Sequence, residues 1–358
     1  GGSLVIGSDA TENVTVSGAV ASYAAYSDAW TSTIINASKN IDLDSVSGDY
    51  NSSTQIGNTD TENVNLYGTL WMWGGAEATI LGKNISFEDD TSILFSGPVA
   101  QVGSSISIGS DETETVNIAD RAEADDYSDI TILGNDITID SVITQKQGQI
   151  VVGDASTDSA TIEEEIYAQG SDGADRDSSI SITADEITAK NLIVASGPNS
   201  SITLDGENIS LTDTDLSDYY ASVDTYAAYG GDITLGSSRT DTLYVAGGAA
   251  AVHYTHDLMQ GLNEEYQAGS TLTLDATSIT VGNSGVTAYG ENTNAIIGSA
   301  GITETLNSNL TASEMGVVEA TVSRAYTGNA SATIVEWDES EEPIGGTLTL
   351  TAGSATGN

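Results

Sequence analysis

The sequence is distinguished first by residue types that it lacks. Its 358 residues include no cysteine, which excludes disulfides, zinc–thiolate sites and a cysteine nucleophile. Only 8 residues are Lys or Arg, against 53 Asp or Glu, and the formal net charge is -45. Because a nucleic-acid binder needs basic side chains to replace the counterions of the phosphates, this composition excludes that class of function. The same charge disfavours binding to anionic membrane surfaces.

Long apolar runs are also missing, and helical signals are scarce. No segment approaches the ~20 consecutive apolar residues that a membrane-spanning helix needs. A chain this acidic could be disordered, but 39% of its residues are hydrophobic, and Ile, Leu and Val recur at strand spacing throughout. The sequence therefore predicts a folded protein that consists mainly of β-strands.

A repeated motif runs along the chain. It reads apolar, Gly, small polar, two variable positions, Thr, acidic, variable, apolar, variable, apolar. Close copies occupy residues 6–16, 56–66 and 108–118, and weaker copies begin at Val152, Leu235 and Ile297. A second motif, which ends in Ile, polar, apolar, alternates with the first, as at residues 80–87 and 132–139. The pair recurs roughly every 50 residues, so each motif occupies a coil of ~20 to 30 residues, the range of a solenoid.

The apolar residues of each motif lie at positions i and i+2, as in Val14-Thr15-Val16, which is the period of a strand with one buried face. An antiparallel sandwich is the alternative for many short strands, but identical motifs favour stacking in register with parallel sheets. We therefore predict an all-β fold, a right-handed parallel β-helix of about 13 coils. A single domain would span residues 1–358, with repeats that start near residues 3, 53, 104, 149, 200, 232 and 295.

Segments rich in Gly, Ala, Tyr and Asp separate the motifs, and we predict them to be loop excursions from the coil. They span residues 21–31, 67–77, 119–129, 216–231 and 246–269. Aromatic residues cluster there, among them Tyr23, Tyr26, Trp30, Trp71, Trp73, Tyr219, Tyr220, Tyr226 and Tyr229. One interpretation is that these rings cover apolar corners of the coil. The other is a binding face, since Tyr and Trp supply contact area at low entropic cost and also suit sugar rings.

Acidic turns are candidate calcium sites, because Ca²⁺ prefers hard oxygen ligands. The candidates are Asp125, Asp126 and Asp129 in one turn and Asp213, Asp215 and Asp218 in another. Neither group follows an EF-hand pattern or the Gly-Gly-x-Gly-x-Asp repeat of calcium β-rolls, so solvated turns without a ligand are the alternative. No other cofactor is predicted.

The Ile-Gly-Ser-Asp-x-Thr-Glu-x-Val copies and the intervening Ile-x-Gly-x-Asn-Ile copies cover most of the chain. This pattern resembles the passenger domains of type V autotransporters and, more broadly, β-helical bacterial surface adhesins. The resemblance implies a right-handed β-helix at the cell surface, tethered to the outer membrane through a segment outside this sequence. It also implies a role in adhesion or aggregation for members that lack a protease domain.

We therefore predict a secreted or cell-surface module, without catalytic activity, that mediates adhesion or self-association. Its partners would be host or bacterial surface glycans and proteins, or other copies of itself, and not nucleic acid or a membrane interior. Two alternatives stay open. One is a subunit of an extracellular filament or surface layer. The other is a β-helical carbohydrate-active enzyme, which would need converging carboxylates beside Arg or Lys, whereas the basic residues here are scattered.

Overall fold

The structure is a computed structural model that describes residues 2–23, 30–88, 97–171, 176–212, 225–252, 269–282, 284–299, 301, 303–332, 334–335, 344–353 and 355–356. The chain divides into two compact units, residues 1–165 with 178–185 and residues 166–177 with 186–358. Every regular element in the described residues is a β-strand. Within those residues no helix is long and apolar enough to cross a membrane.

The strands of the first unit are β1 (Gly2–Gly7), β2 (Asn13–Tyr23), β3 (Thr31–Asn36), β4 (Asn40–Asp49), β5 (Ser52–Ile56), β6 (Asn63–Leu66), β7 (Thr69–Trp73), β8 (Glu77–Ile80), β9 (Asn84–Phe87), β10 (Gly97–Gln101), β11 (Ser105–Ile108), β12 (Thr115–Ala124), β13 (Asp129–Ile132), β14 (Asp136–Gln145), β15 (Gln149–Val152), β16 (Ser159–Ile162) and β18 (Ser178–Thr183).

The strands of the second unit are β17 (Ile166–Gln169), β19 (Glu186–Ala189), β20 (Ile193–Ser196), β21 (Ser200–Asp205), β22 (Asn208–Leu211), β23 (Thr225–Ala228), β24 (Asp232–Gly236), β25 (Thr242–Val245), β26 (Gly248–Val252), β27 (Thr271–Asp275), β28 (Ser278–Val281), β29 (Gly285–Tyr289), β30 (Asn294–Ile297), β31 (Thr305–Asn307), β32 (Leu310–Ser313), β33 (Val317–Val322), β34 (Ala325–Thr327), β35 (Ala330–Ala332), β36 (Ile334–Val335), β37 (Ile344–Gly345), β38 (Thr347–Ala352) and β39 (Ala355–Thr356).

In each unit the strands stack as parallel ladders on three sides of a coil. Side 1 is the ladder β1-β3-β5-β8-β11-β13-β15-β18 in the first unit and β21-β24-β27-β30-β33-β38 in the second. Side 2 is formed by the strands at the ends of both motifs, as in β4-β6-β9-β12 and in β22-β25-β28-β31. Side 3 includes β4-β7-β10-β12 and β20-β23-β26-β29-β32. The only antiparallel pairings among the described strands involve the short β37.

The core is built from side chains that alternate inward along each strand and stack on their counterparts in the next turn. On side 1, Ile56, Ile80, Ile108 and Ile132 occupy equivalent register positions and are fully buried. These β-branched residues suit a pleated surface with one covered face. The alternation and the stacking of like on like confirm the fold class predicted from the motifs, a parallel β-solenoid.

Polar side chains stack in the same way at the outer start of side 2. Asn40, Asn63 and Asn84 each donate a hydrogen bond from Nδ2 to the Oδ1 of the asparagine in the preceding turn. The three N–O distances are 2.6, 2.8 and 3.2 Å, and the series begins at Asn13. An in-register ladder lets every amide use both its donor and its acceptor, so a slip of one residue would break the whole row.

The Gly and Thr of the first motif form a tight corner between sides 1 and 2. Gly109 has a φ of 77°, and a Cβ there would lie 1.9 Å from the Leu133 carbonyl oxygen of the next turn. The buried Thr113 hydroxyl accepts a hydrogen bond from the Ser110 N–H at 3.0 Å and donates one to the Gly82 carbonyl at 2.8 Å. The glycine therefore permits close stacking, and the threonine ties its corner to the turn before.

Two details of the sequence prediction need correction. The solenoid has about 11 turns, slightly fewer than the predicted 13 or so. In addition, much of what was predicted as loop excursions forms side 3. Strands β7, β23 and β26 and the last part of β12 occupy those segments.

In the second unit, the sequence prediction missed side 3 because many of its inward residues are small. In the second unit Ala195, Ala227, Ala251, Ala288 and Ala312 stack at equivalent register positions, and all are fully buried. Alanine carries almost no strand preference, so a row of inward alanines does not show the Ile or Val pattern that identified sides 1 and 2.

The corner can be tested with two glycine substitutions of matched backbone conformation. Gly103 has a φ of 73°, but a Cβ there would meet no atom within 4 Å. We expect Gly103→Ala to cost about 1 to 2 kcal/mol, the strain of a left-handed alanine. Gly109→Ala carries that strain and a clash with Leu133, so its loss in the free energy of unfolding should be clearly larger. Urea denaturation measures both, and equal losses would contradict the stacked corner.

Candidate functional site

A cavity in the first unit lies on the outside of side 3. Its volume is about 340 Å³, and its lining residues are Tyr23, Ser47, Gly48, Asp49, Trp71 and Trp73. That volume is within the range of small-molecule sites. We call this cavity the aromatic pocket.

Strand alternation places the pocket side chains. In β7, Leu70 and Met72 point inward and are fully buried, so Trp71 and Trp73 point outward. In β4, Val46 and Gly48 are inward, which leaves the small side chain of Ser47 and the carboxylate of Asp49 outside.

The register then brings three strands together at the pocket. Asp49 pairs with Tyr23 of β2 on one side and with Trp73 of β7 on the other. Ser47 pairs with Trp71 in the same way. The pocket is therefore a groove above the middle strand β4, with aromatic rings along both walls and small polar side chains as its floor.

The two tryptophans differ in their exposure. Trp71 is 50% exposed, whereas Trp73 packs edge-on against the ring of Tyr50, with centroids 4.8 Å apart and an interplanar angle of 82°. Such edge-to-face contacts are a favoured aromatic geometry. Tyr23 is 62% exposed, and its hydroxyl lies 3.4 Å from the Ser47 Oγ. Tyr50 thus holds the ring of Trp73 in place, whereas the rings of Trp71 and Tyr23 face solvent.

Asp49 is the only charged side chain among the described lining residues. Its Oδ1 atom is buried and has no hydrogen-bond partner among the residues that the structure describes. Burial raises the pKa of the Asp49 carboxyl, and a hydrogen bond from the Tyr50 backbone N–H opposes that shift. A buried carboxylate oxygen without a partner is costly, so a donor or a cation in the pocket would stabilise it.

The structure brings together three of the predicted binding residues, Tyr23, Trp71 and Trp73. Trp30 is 64% exposed but does not line the aromatic pocket. Tyr26, Tyr219 and Tyr220 lie outside the described residues. The sequence prediction missed Ser47, Asp49 and Tyr50. The alternation Val46-Ser47-Gly48-Asp49 was the available signal, since it places Ser47 and Asp49 on the outer face of a strand.

Tyr226 and Tyr229, in the second unit, fit the other interpretation of the aromatic residues. Tyr229 is buried in a hydrophobic cluster with Ala228, Ala250 and Val252, and Tyr226 packs against this cluster. These rings therefore cover apolar side chains of their own unit.

The predicted calcium ligands of the first unit do not come together. Asp125 forms an ion pair with Lys146, 3.2 Å from Oδ2 to Nζ, and Asp126 lies 3.9 Å from the same Nζ. The hydrogen bond and charge of Asp125 raise the pKa of Lys146. The described residues contain no group of three or more His, Asp or Glu side chains that could hold a metal ion. Asp129 begins β13 and is exposed, while Asp213, Asp215 and Asp218 lie outside the described residues.

A second cluster of interest for the enzyme alternative surrounds Arg121, whose Nε lies 3.1 Å from the Glu123 Oε2. Glu165 is near enough to Arg121 for the two side chains to interact electrostatically. Burial raises the pKa of Glu165, the charge of Glu164 raises it further, and Arg121 lowers it. This is an Arg beside carboxylates, but the described lining of the aromatic pocket does not include any of the cluster.

The fold defines the chain as a parallel β-helix repeat protein. No protein-family model matches the sequence, and no curated protein or solved structure is significantly similar to it.

The raised pKa of Glu165 predicts a pH-dependent effect of Glu165→Gln. In the folded state the carboxyl holds its proton to higher pH than in the unfolded state. The free energy of unfolding therefore falls as the pH rises from the ordinary pKa of a glutamate through the raised pKa of Glu165. At pH 7, well above the ordinary pKa of a glutamate, burial of the carboxyl destabilises the fold, and the variant should have a higher Tm than the native chain. Below about pH 3, more than one unit under the ordinary pKa of about 4.3, the carboxyl is protonated in both states, and the difference should vanish.

Thermal unfolding at the two pH values measures this effect, with the exposed Glu112→Gln as a control for the loss of one charge. A Tm gain for Glu165→Gln that is the same at both pH values, or no gain at pH 7, would show that burial does not act on this carboxyl.

Proposed function

We propose that the chain is a β-helical surface module that mediates adhesion or self-association and performs no catalysis. The observation that supports this most is the aromatic pocket, where Tyr23 and Trp71 are exposed on the outside of stacked strands. Exposed tryptophan and tyrosine on a rigid frame are the residue types that carry most binding energy in protein interfaces.

The proposed setting is extracellular, as a secreted or cell-surface module related in its repeat pattern to autotransporter passengers. The partners would be surface glycans or proteins, or other copies of the chain. A right-handed coil is part of the proposal, because parallel crossover connections are right-handed in the great majority of proteins. The net charge of -45 favours solubility and makes copies of the chain repel each other. Salt screens this repulsion and should therefore promote self-association.

The proposal predicts that attachment depends on Trp71. Beads coated with the chain would be mixed with bacterial cells, mammalian cells and beads that carry the same chain. We expect Trp71→Ala to weaken attachment to at least one of these surfaces about tenfold, because it removes an exposed aromatic contact. The inward neighbours Leu70 and Met72 are unchanged, so the fold should be retained.

Tyr244→Ala is the matched control, since Tyr244 is 45% exposed on β25, outside the aromatic pocket. Attachment that falls equally for both variants would indicate general stickiness. Attachment that is unaffected by Trp71→Ala on every surface would contradict an adhesive role for the pocket.

A further inference from the structure

The spacing of the strands sets the width of the aromatic pocket. Tyr23 and Trp73 lie on strands that flank β4 on opposite sides. Since neighbouring strands are ~4.8 Å apart, these two aromatic walls rise from backbones about 9.5 Å apart. A group that sits above β4 is then about 5 Å from each wall. Cation–π contacts operate within about 6 Å of a ring centroid, so a single ammonium group at this position can contact rings on both sides.

The charge of the pocket selects among ligands. Asp49 contributes a carboxylate whose buried Oδ1 has no partner in the described part of the chain, and the described lining holds no Lys, Arg or His. An anionic ligand would meet an uncompensated negative charge, and a purely apolar one would bury that carboxylate further without a partner. A cation supplies the missing opposite charge.

Several of the basic residues elsewhere in the chain are already paired with carboxylates. Lys39, Lys146, Arg239 and Arg324 each form an ion pair with a carboxylate. With a net charge of -45, the chain attracts cations and repels anions at long range.

Hydrogen-bonding capacity separates a cation from a sugar. The described lining offers only the Ser47 hydroxyl, the Asp49 carboxylate and the Tyr23 hydroxyl as side-chain polar groups, besides the two indole N–H groups. A sugar ring has many hydroxyls that each need a partner when they are buried. A methylated ammonium group needs none, because its charge is spread over methyl groups that pack on aromatic faces.

We infer that the aromatic pocket binds a methylated ammonium group, held between Tyr23, Trp71 and Trp73 and neutralised by Asp49. This deepens the proposed function, on which it rests, by naming the chemistry that the surface module would recognise on a partner. Choline headgroups and methylated lysine side chains both present this group.

The inference is tested by isothermal titration of the whole chain with choline, with tetramethylammonium and with 3,3-dimethylbutan-1-ol. The last compound is a neutral isostere of choline, in which carbon replaces the charged nitrogen. We expect choline and tetramethylammonium to bind and the isostere to bind at least about tenfold more weakly. The neutral isostere lacks the positive charge that the Asp49 carboxylate attracts. Asp49→Asn should weaken choline about tenfold and leave the isostere unchanged.

Equal affinity for choline and its isostere would overturn the inference in favour of an apolar pocket, and so would the absence of choline binding. Methyl α-glucoside is titrated as well. If this sugar binds and choline does not, the inference is also overturned. The comparison of choline with the isostere needs only the native chain, so it stands even if Asp49→Asn does not fold. Loss of attachment in Trp71→Ala without any choline binding would refute this inference while leaving the proposed adhesive function intact.

If choline binds as expected, two further ligands distinguish the sources of the ammonium group. A trimethyllysine peptide compared with its unmethylated form reports on protein partners, and phosphocholine reports on headgroups. Tighter binding of phosphocholine than of choline would contradict the repulsion of anions that the pocket charge requires.

Discussion

In-register parallel stacking of the turns is the constraint on which the rest of this structure depends. Each strand takes its backbone hydrogen bonds from the turn before and the turn after, about 4.8 Å away. A side chain is therefore placed by its position within a turn. The buried isoleucines of side 1, the asparagine ladder of side 2 and the alanine row of side 3 all follow from this single rule.

Such close stacking needs a corner that brings two backbones together, and the first motif supplies it. Gly57 and Gly109 have positive φ values and leave no room for a Cβ against the next turn. Thr61 and Thr113 are fully buried beside them, and each donates its hydroxyl proton to a carbonyl of the preceding turn. The Gly and Thr of the first motif thus form the corner that sets the spacing between turns.

The sequence was sufficient to predict the class of fold, because Ile and Val at alternate positions leave little choice of structure. It was insufficient for side 3 of the second unit, where the row of inward alanines carries no strand pattern. It could name Tyr23, Trp71 and Trp73 but could not bring them together. Their proximity, and the presence of Asp49 between them, depends on the number of residues in each turn, which is set by corners and insertions that vary along the chain.

The pocket is therefore a consequence of stacking: one strand with small outer side chains lies between two strands with large rings. If the register were shifted by one residue, Val46 and Gly48 would replace Ser47 and Asp49 on the outer face, and no carboxylate would lie between the rings. The chemistry proposed for the pocket therefore depends on the register of the solenoid.

The most direct test of that register is disulfide formation between engineered cysteines, which has no background because the chain contains no cysteine. Ser107 and Thr131 are register partners on adjacent strands of side 1, about 4.8 Å apart at their backbones, which is within disulfide reach. Ser107 and Asp129 are on the same two strands but offset by two residues. If the turns stack in this register, the Ser107→Cys/Thr131→Cys pair should cross-link rapidly and the Ser107→Cys/Asp129→Cys pair only slightly. Equal cross-linking of the two pairs, or preference for the offset pair, would contradict it.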